Sequence, residues 1–236
     1  MKLRLLLLFA SILIAVNADA QMRFARIFSD HAVLQRQKPI PVWGWAAPNE
    51  SVTVSLKGAT EQIRQAKSGP DGKWQVEFSI LEAGGPYALS VSGASGSQTL
   101  KDLLIGDVWL CSGQSNMEWT VRQADNFQKE QKNADFPQIR HFRVAHEVAL
   151  TPQQDLNEGA WEVSNAQTVG NFTAVGFFFA REVYQQTGVP IGLLHSSWGG
   201  SQVESWISRE AMLASDVLNG YGAALPASWE DAALRL

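Results

Sequence analysis

Ser115 has the chemistry of a nucleophile if a base and an oxyanion donor can be brought to it. It stands in the run Gly106-Asp107-Val108-Trp109-Leu110-Cys111-Ser112-Gly113-Gln114-Ser115-Asn116-Met117-Glu118-Trp119. The run begins as a short apolar stretch, the pattern of a strand buried on both faces. It breaks at Ser112-Gly113 and resumes with residues able to open a helix. A small, polar turn at the carboxyl end of a buried strand is where open α/β sheets place reactive groups. There Ser115 offers a hydroxyl for covalent catalysis and a backbone N–H for an oxyanion. The same residues read equally as an ordinary strand-to-helix turn capped by Ser or Asn. A second apolar run, Ile191-Gly192-Leu193-Leu194-His195, ends in Ser196-Ser197-Trp198-Gly199-Gly200-Ser201. Paired glycines there let the backbone approach a ligand and point an N–H at it. Phosphate cradling is open in principle, but no Walker lysine and no Gly-x-Gly-x-x-Gly accompanies them.

A base is harder to find. None of the four histidines, His31, His141, His146 and His195, has an Asp three residues before it. His195 lies in the apolar run, which points to the core rather than to general base catalysis. His141 and His146 have no orienting carboxylate at a recognisable spacing, so they read as surface or structural. Glu204 is acidic and close to the glycine block, but a helix-start or ion-pair role fits it better than that of a base. Zinc-type spacing is missing, since the histidines have no Cys partners and no His-x3-His pair. Cys111 is the only cysteine, so no internal disulfide can form. Its apolar setting favours a buried, inert thiol over a second nucleophile.

The elements that must position these residues read as follows. From Arg23 to Ile105 short alternating runs, among them Val33-Leu34, Ile40 to Trp45, Ser51 to Leu56, Trp74 to Phe78 and Tyr87 to Val91, are separated by Gly-, Pro- and Asn-bearing turns. That spacing predicts a small β-sandwich. Between Thr99 and Asp107 the pattern becomes continuously apolar, which marks a boundary with no Pro-rich or Gly/Ser linker. Trp119 to Pro137 reads as surface loop or irregular helix, and Ile139 to Val148 as a strand with Phe142, Val144 and Val148 at period two. Ala174 to Thr187 is the clearest helix, with Val175, Phe178, Phe179, Val183 and Tyr184 able to share a face. Gly188 stops it and Pro190 follows. Helix then apolar strand suits one parallel βαβ unit.

The 236 residues are 45% hydrophobic, enough for one large or two small units. With 19 Lys+Arg against 23 Asp+Glu the net charge is −4, which leaves no basic footprint for nucleic acid. Nine tryptophans suit a core with a few left to line a cleft for sugars. Residues 1–20 read as a signal peptide: Lys2 and Arg4, an apolar stretch from Leu5 to Val16, then Ala18-Asp19-Ala20. The stretch is short for a membrane span, so an exported protein, periplasmic or extracellular, with no membrane association after signal removal is expected.

The Gly106 to Trp119 run resembles the nucleophile block of the sialate O-acetylesterase-like family of carbohydrate esterases, a branch of the SGNH hydrolases. It is not the Gly-x-Ser-x-Gly elbow of α/β-hydrolases, because Met117 stands where the second Gly would be. The phrases FSDHAVLQRQKPIPVWGWA, DGKWQVEF and AGGPYALSVSG resemble the same family's N-terminal β-domain, and HSSWGGSQVESW its second oxyanion block. The resemblance implies a β-sandwich over 21–105 and the N-terminal part of an SGNH-type, flavodoxin-like α/β esterase domain over 106–236. It assigns Ser115 as nucleophile and oxyanion donor and Gly200 as the second oxyanion N–H. Gln114, Asn116, Trp198 and Glu204 are carried along as substrate-binding candidates. The substrate implied is an acetylated carbohydrate, with no cofactor and no metal. The family's late Asp-x-x-His block is not in this sequence, and two parallel strands are read after Asp107 where a doubly wound domain takes about five. The chain is therefore expected to be an N-terminal portion, very slow or inactive alone. The rival reading is a secreted carbohydrate-binding or scaffold protein that keeps the esterase architecture without its chemistry.

Overall fold

The computed structural model describes residues 22–149 and 151–226; the expected signal peptide and the last ten residues lie outside them. Eleven strands are formed among the described residues: β1 (Arg23–Phe24), β2 (Val33–Gln35), β3 (Ile40–Trp45), β4 (Ser51–Lys57), β5 (Glu61–Lys67), β6 (Lys73–Phe78), β7 (Gly84–Gly93), β8 (Gly96–Gly113), β9 (Phe136–Arg143), β10 (Trp161–Ser164) and β11 (Ile191–Ser197). The α-helices are α1 (Ser115–Glu118), α2 (Phe127–Lys132), α3 (Ala174–Thr187), α4 (Arg209–Leu213) and α5 (Asn219–Ala224). Strands β1, β3 and β6 make a small sheet; the others make one mixed sheet in the order β10-β9-β11-β8-β7-β4-β5, with β2 also on β8.

The long strand β8 explains how the sheet changes character. Its first half pairs antiparallel with β7. From Leu104 to Gly106 it runs parallel to β2, and from Asp107 to Gly113 parallel to β11. The pattern change expected between Thr99 and Asp107 thus falls inside one unbroken strand. Alternating residues of β3, β4, β6 and β7 put Val42, Val54, Trp74, Phe78 and Leu89 into one core shared by the two sheets, and Leu103 of β8 joins them. A second core, with Cys111, Ile139, Phe172, Phe177, Ile191 and Leu193, lies between the parallel strands and α3.

Strand β5 was not foreseen: Glu-Gln-Ile-Arg-Gln-Ala-Lys has no apolar alternation, because an edge strand paired only with β4 has little to bury. The strand expected from Ile139 to Val148 begins earlier and stops at Arg143, and Val148 is exposed. Helix α3 has the expected limits, with Thr173 accepting at the N-cap and Gly188 at φ +67 at the C-cap. Its buried face is different: Ala174, Gly176, Phe177 and Ala180 point inward, while Val175 and Phe179 are exposed. Close approach of the helix to the sheet selects the small residues: a Cβ on Gly176 would lie 3.0 Å from Cys111 Sγ of β8 and 3.5 Å from Leu193 Cδ1 of β11. Nor is β8 buried on both faces at its end. Trp109 is 44% and Leu110 70% exposed, because beyond Gly106 β8 has β11 on one edge and no other strand among the described residues.

Candidate functional site

Parallel pairing brings two turns to one place. The register Ile191↔Asp107 through Ser197↔Gly113 ends β8 and β11 at the same level, and the Trp198 N–H continues the ladder by donating to the Gly113 carbonyl at 2.9 Å. After β8, Gln114 caps α1 and Ser115 is its first residue. After β11, a turn from Trp198 to Ser201 closes with the Ser201 N–H on the Trp198 carbonyl at 3.2 Å. Gly200 takes φ +78 in that turn, a region that a side chain would strain.

The turn lies directly against α1. A Cβ on Gly199 would sit 3.5 Å from Ser115 Cβ and 2.6 Å from Glu118 Oε2, so only glycine allows this approach. The Gly199 N–H donates to Glu118 Oε2 at 2.6 Å. Gln114 Nε2 donates to the Ser201 carbonyl, a second tie across the two turns. Ser115 is exposed. Among the described residues neither its hydroxyl nor its N–H has a hydrogen-bond partner, and the Gly200 N–H likewise donates to no protein acceptor. Ser115 borders a pocket of about 370 Å³ with Glu118, Trp119, Thr120, Gln123 and Arg143. A larger cleft of about 550 Å³ runs past Gly200, His146, Trp198 and Trp206.

The histidines divide by environment. His195 and His141 are buried. His195 Nε2 lies 2.6 Å from Ser197 Oγ, and its Nδ1 3.3 Å from His141 Nε2. Burial, with the Arg143 charge adding to it, pushes His195 down to about 4. Burial, then His195 and Arg143, pushes His141 down to about 3. Both are neutral near pH 7, and His195 has the inner place its apolar strand suggested. His146 has a structural place, as expected, but beside a carboxylate that no chain spacing announced. Its Nε2 is 2.8 Å from the Ser197 carbonyl and 3.2 Å from Glu118 Oε1, and its ring stacks flat on Trp198 at 4.3 Å. Both neighbours of Nε2 are acceptors, so Nε2 carries the hydrogen. Burial pushes the Cys111 thiol up to about 11, which keeps it protonated.

Of the residues singled out in the sequence, Ser115, Gln114, Gly199, Gly200 and Trp198 come together in the two turns, and Asn116 follows Ser115 in α1 with no hydrogen bond to the second turn among the described residues. Glu204 is the second residue of a short 3₁₀ turn that starts at Val203 and, like Gln114 and Asn116, borders neither pocket. Sequence reasoning missed Glu118, Arg143 and His146. Glu118 carried one usable signal, since residues three apart in a helix share a face. Arg143 and His146 carried none, because their partners are distant in the chain.

Residues 105–228 match the family model described as carbohydrate esterase, sialic acid-specific acetylesterase. The chain is similar to sialate O-acetylesterase of Mus musculus (36% identical over 219 residues, 86% of this chain and 40% of that one). It is also similar to that of Rattus norvegicus (36% over 233 residues, 92% and 43%). Among solved structures it is similar to a carbohydrate acetylesterase from Xanthomonas citri, with TM-score 0.77 and 41% identity over 82% of this chain and 44% of that one. The chain spans about two fifths of the length of these curated relatives.

Proposed function

Because the chain belongs to the sialic acid-specific acetylesterase family of carbohydrate esterases, we propose that it carries the nucleophile half of a serine-dependent carbohydrate O-acetylesterase. The observation that supports this most is the exposed Ser115 hydroxyl, which like the Ser115 and Gly200 N–H groups has no partner among the described residues, at the point where Gly199 of the Gly199-Gly200 turn packs against Ser115.

In this reading Ser115 Oγ attacks the acetyl carbonyl of the substrate. The carbonyl oxygen gains negative charge and receives the Ser115 and Gly200 N–H groups. Collapse transfers the acetyl group to Oγ, and the sugar leaves as an alcohol after taking up a proton. Water then attacks the acetyl-enzyme, acetate departs, and the Ser115 hydroxyl is restored. The proton of Ser115 needs a base. His195 is buried and neutral with both ring nitrogens engaged, and Nε2 of His146 is committed to Ser197 and Glu118. Without a base, a Ser site retains only the modest catalysis of its oxyanion donors and binding, so this chain alone turns over slowly. Gln114 and Asn116, on either side of Ser115, are read as substrate contacts, and so is Trp198, whose ring keeps one face away from His146. Glu204 is the weakest of the four. Residues 21–105 are read as an ancillary β-sandwich, and residues 1–20 as an export signal.

The test is hydrolysis of an aryl acetate by the purified chain. Ser115→Ala is expected to remove whatever rate stands above the buffer blank. An unchanged rate in that variant would refute the nucleophile assignment and favour a carbohydrate-binding protein without the chemistry.

A further inference from the structure

We infer that Glu118 is the positioning residue that holds the Gly199-Gly200 turn against Ser115 and so decides which glycine amide is left for a ligand. This deepens the esterase reading above and rests on it.

The carboxylate is held between two segments, the turn after β11 on one oxygen and the end of β9 with the residues after it on the other. Its Oε2 accepts the Gly199 N–H at 2.6 Å, a short, charge-assisted bond of the kind that fixes geometry. Its Oε1 is 3.2 Å from His146 Nε2, with the Arg143 guanidinium 3.6 Å away. The same His146 nitrogen reaches the Ser197 carbonyl, and the His146 ring covers Trp198. Ser197, Trp198 and Gly199 are thus all referred to one side chain, one helical turn from Ser115. The consequence is selective. Gly199 N–H is used up inside the protein, whereas Gly200, next in the chain, lines the cleft and its N–H has no protein acceptor among the described residues. Remove the carboxylate and the turn loses the tie that distinguishes the two amides. A backbone N–H that must sit about 2.7–3.1 Å from a developing oxyanion tolerates little drift.

Amide hydrogen exchange on the ¹⁵N-labelled chain tests this without relying on turnover. In Glu118→Ala the Gly199 amide is expected to exchange at least about tenfold faster, while the Trp198 amide, bonded to the Gly113 carbonyl, is unchanged. Glu118→Gln keeps one acceptor oxygen and is expected to retain most of the protection. Aryl acetate hydrolysis should fall roughly 10- to 100-fold in kcat in the alanine variant, with little change in KM, and less in the glutamine variant. Unchanged Gly199 exchange in Glu118→Ala overturns the proposal. So does faster exchange of Gly199 and Trp198 together, which would mean general loosening. If Ser115→Ala leaves hydrolysis unaltered, the esterase reading fails by itself, and Gly199 exchange still decides the role of Glu118.

Discussion

His141 and His195 are the residues whose burial has the clearest consequence in solution. An unfolded chain protonates both near the ordinary histidine value of about 6.5, whereas the folded chain keeps His195 neutral down to about 4 and His141 down to about 3. Between those values the unfolded state binds more protons. Stability is therefore full above about pH 6.5 and falls as pH drops toward 4, by up to about 1.4 kcal/mol per pH unit for each histidine. Urea midpoints at pH 7.5, 6 and 5 should decline in that order. In His141→Phe, where the new ring keeps the stack on Phe172 that His141 makes at 4.4 Å, the decline should be about half as steep. An equally steep decline would place the titration elsewhere. At this scale the inner place of His195 and the buried, protonated thiol of Cys111 were legible from their apolar runs. The carboxylate beside His146 was not, because Glu118 reaches that histidine only through the docking of α1 on the turn after β11.

The elements meet through glycines at two kinds of position, and these make opposite predictions. Gly106 lies where β8 receives the entry to β11. A Cβ there would fall 2.0 Å from the Pro190 carbonyl oxygen, and the Asp107 N–H bonds that same oxygen at 2.9 Å. Gly106→Ala must push the two strands apart, at a cost of about 2 kcal/mol or more. Because β11 carries the Gly199-Gly200 turn, hydrolysis should fall further than the stability loss accounts for. Gly188, the cap of α3, has φ +67 and open space around it. Gly188→Ala is expected to cost only about 1 kcal/mol, through backbone conformation alone, and to leave hydrolysis unchanged. Thermal melts and aryl acetate assays on both variants check the contrast. The limits of α3 were legible because Thr173, Gly188 and Pro190 are local signals. Its buried face was not, because which side can come close to β11 depends on a neighbour.

Across the whole molecule, one buried arginine joins the segment before β2 to β8 and β9. Arg140 Nη1 bonds Asp102 Oδ2 at 3.0 Å and the His31 carbonyl at 3.3 Å, while His31 Nδ1 meets the same carboxylate oxygen at 2.7 Å. Burial tends to raise the Asp102 carboxyl, but the Arg140 and His31 hydrogen bonds outweigh it and hold it below the usual carboxylate range. Asp102 has φ +57 and His31 φ +69, conformations that need a tertiary partner to persist. Asn tolerates the left-handed region nearly as well as Asp, so Asp102→Asn removes charge without changing backbone preference. Because Asp102 is partly exposed, the expected loss is about 1–2 kcal/mol in urea unfolding at pH 7. No loss would mean that solvent already satisfies Arg140.

Read alone, the sequence determined what depends on neighbours in the chain: the alternation of β3, β4, β6 and β7, the two apolar strands that end in Ser- and Gly-bearing turns, the caps of α3, and a motif long enough to give the family. The tertiary structure decided what depends on distance between segments. It ran β8 through both halves of the sheet, aligned its end with β11, buried small residues rather than large ones on α3, and set Glu118, Arg143 and His146 around the glycine turn. Local conformational preference is written in successive residues, whereas the partner of a carboxylate or of an exposed amide is set by packing between strands far apart in the chain.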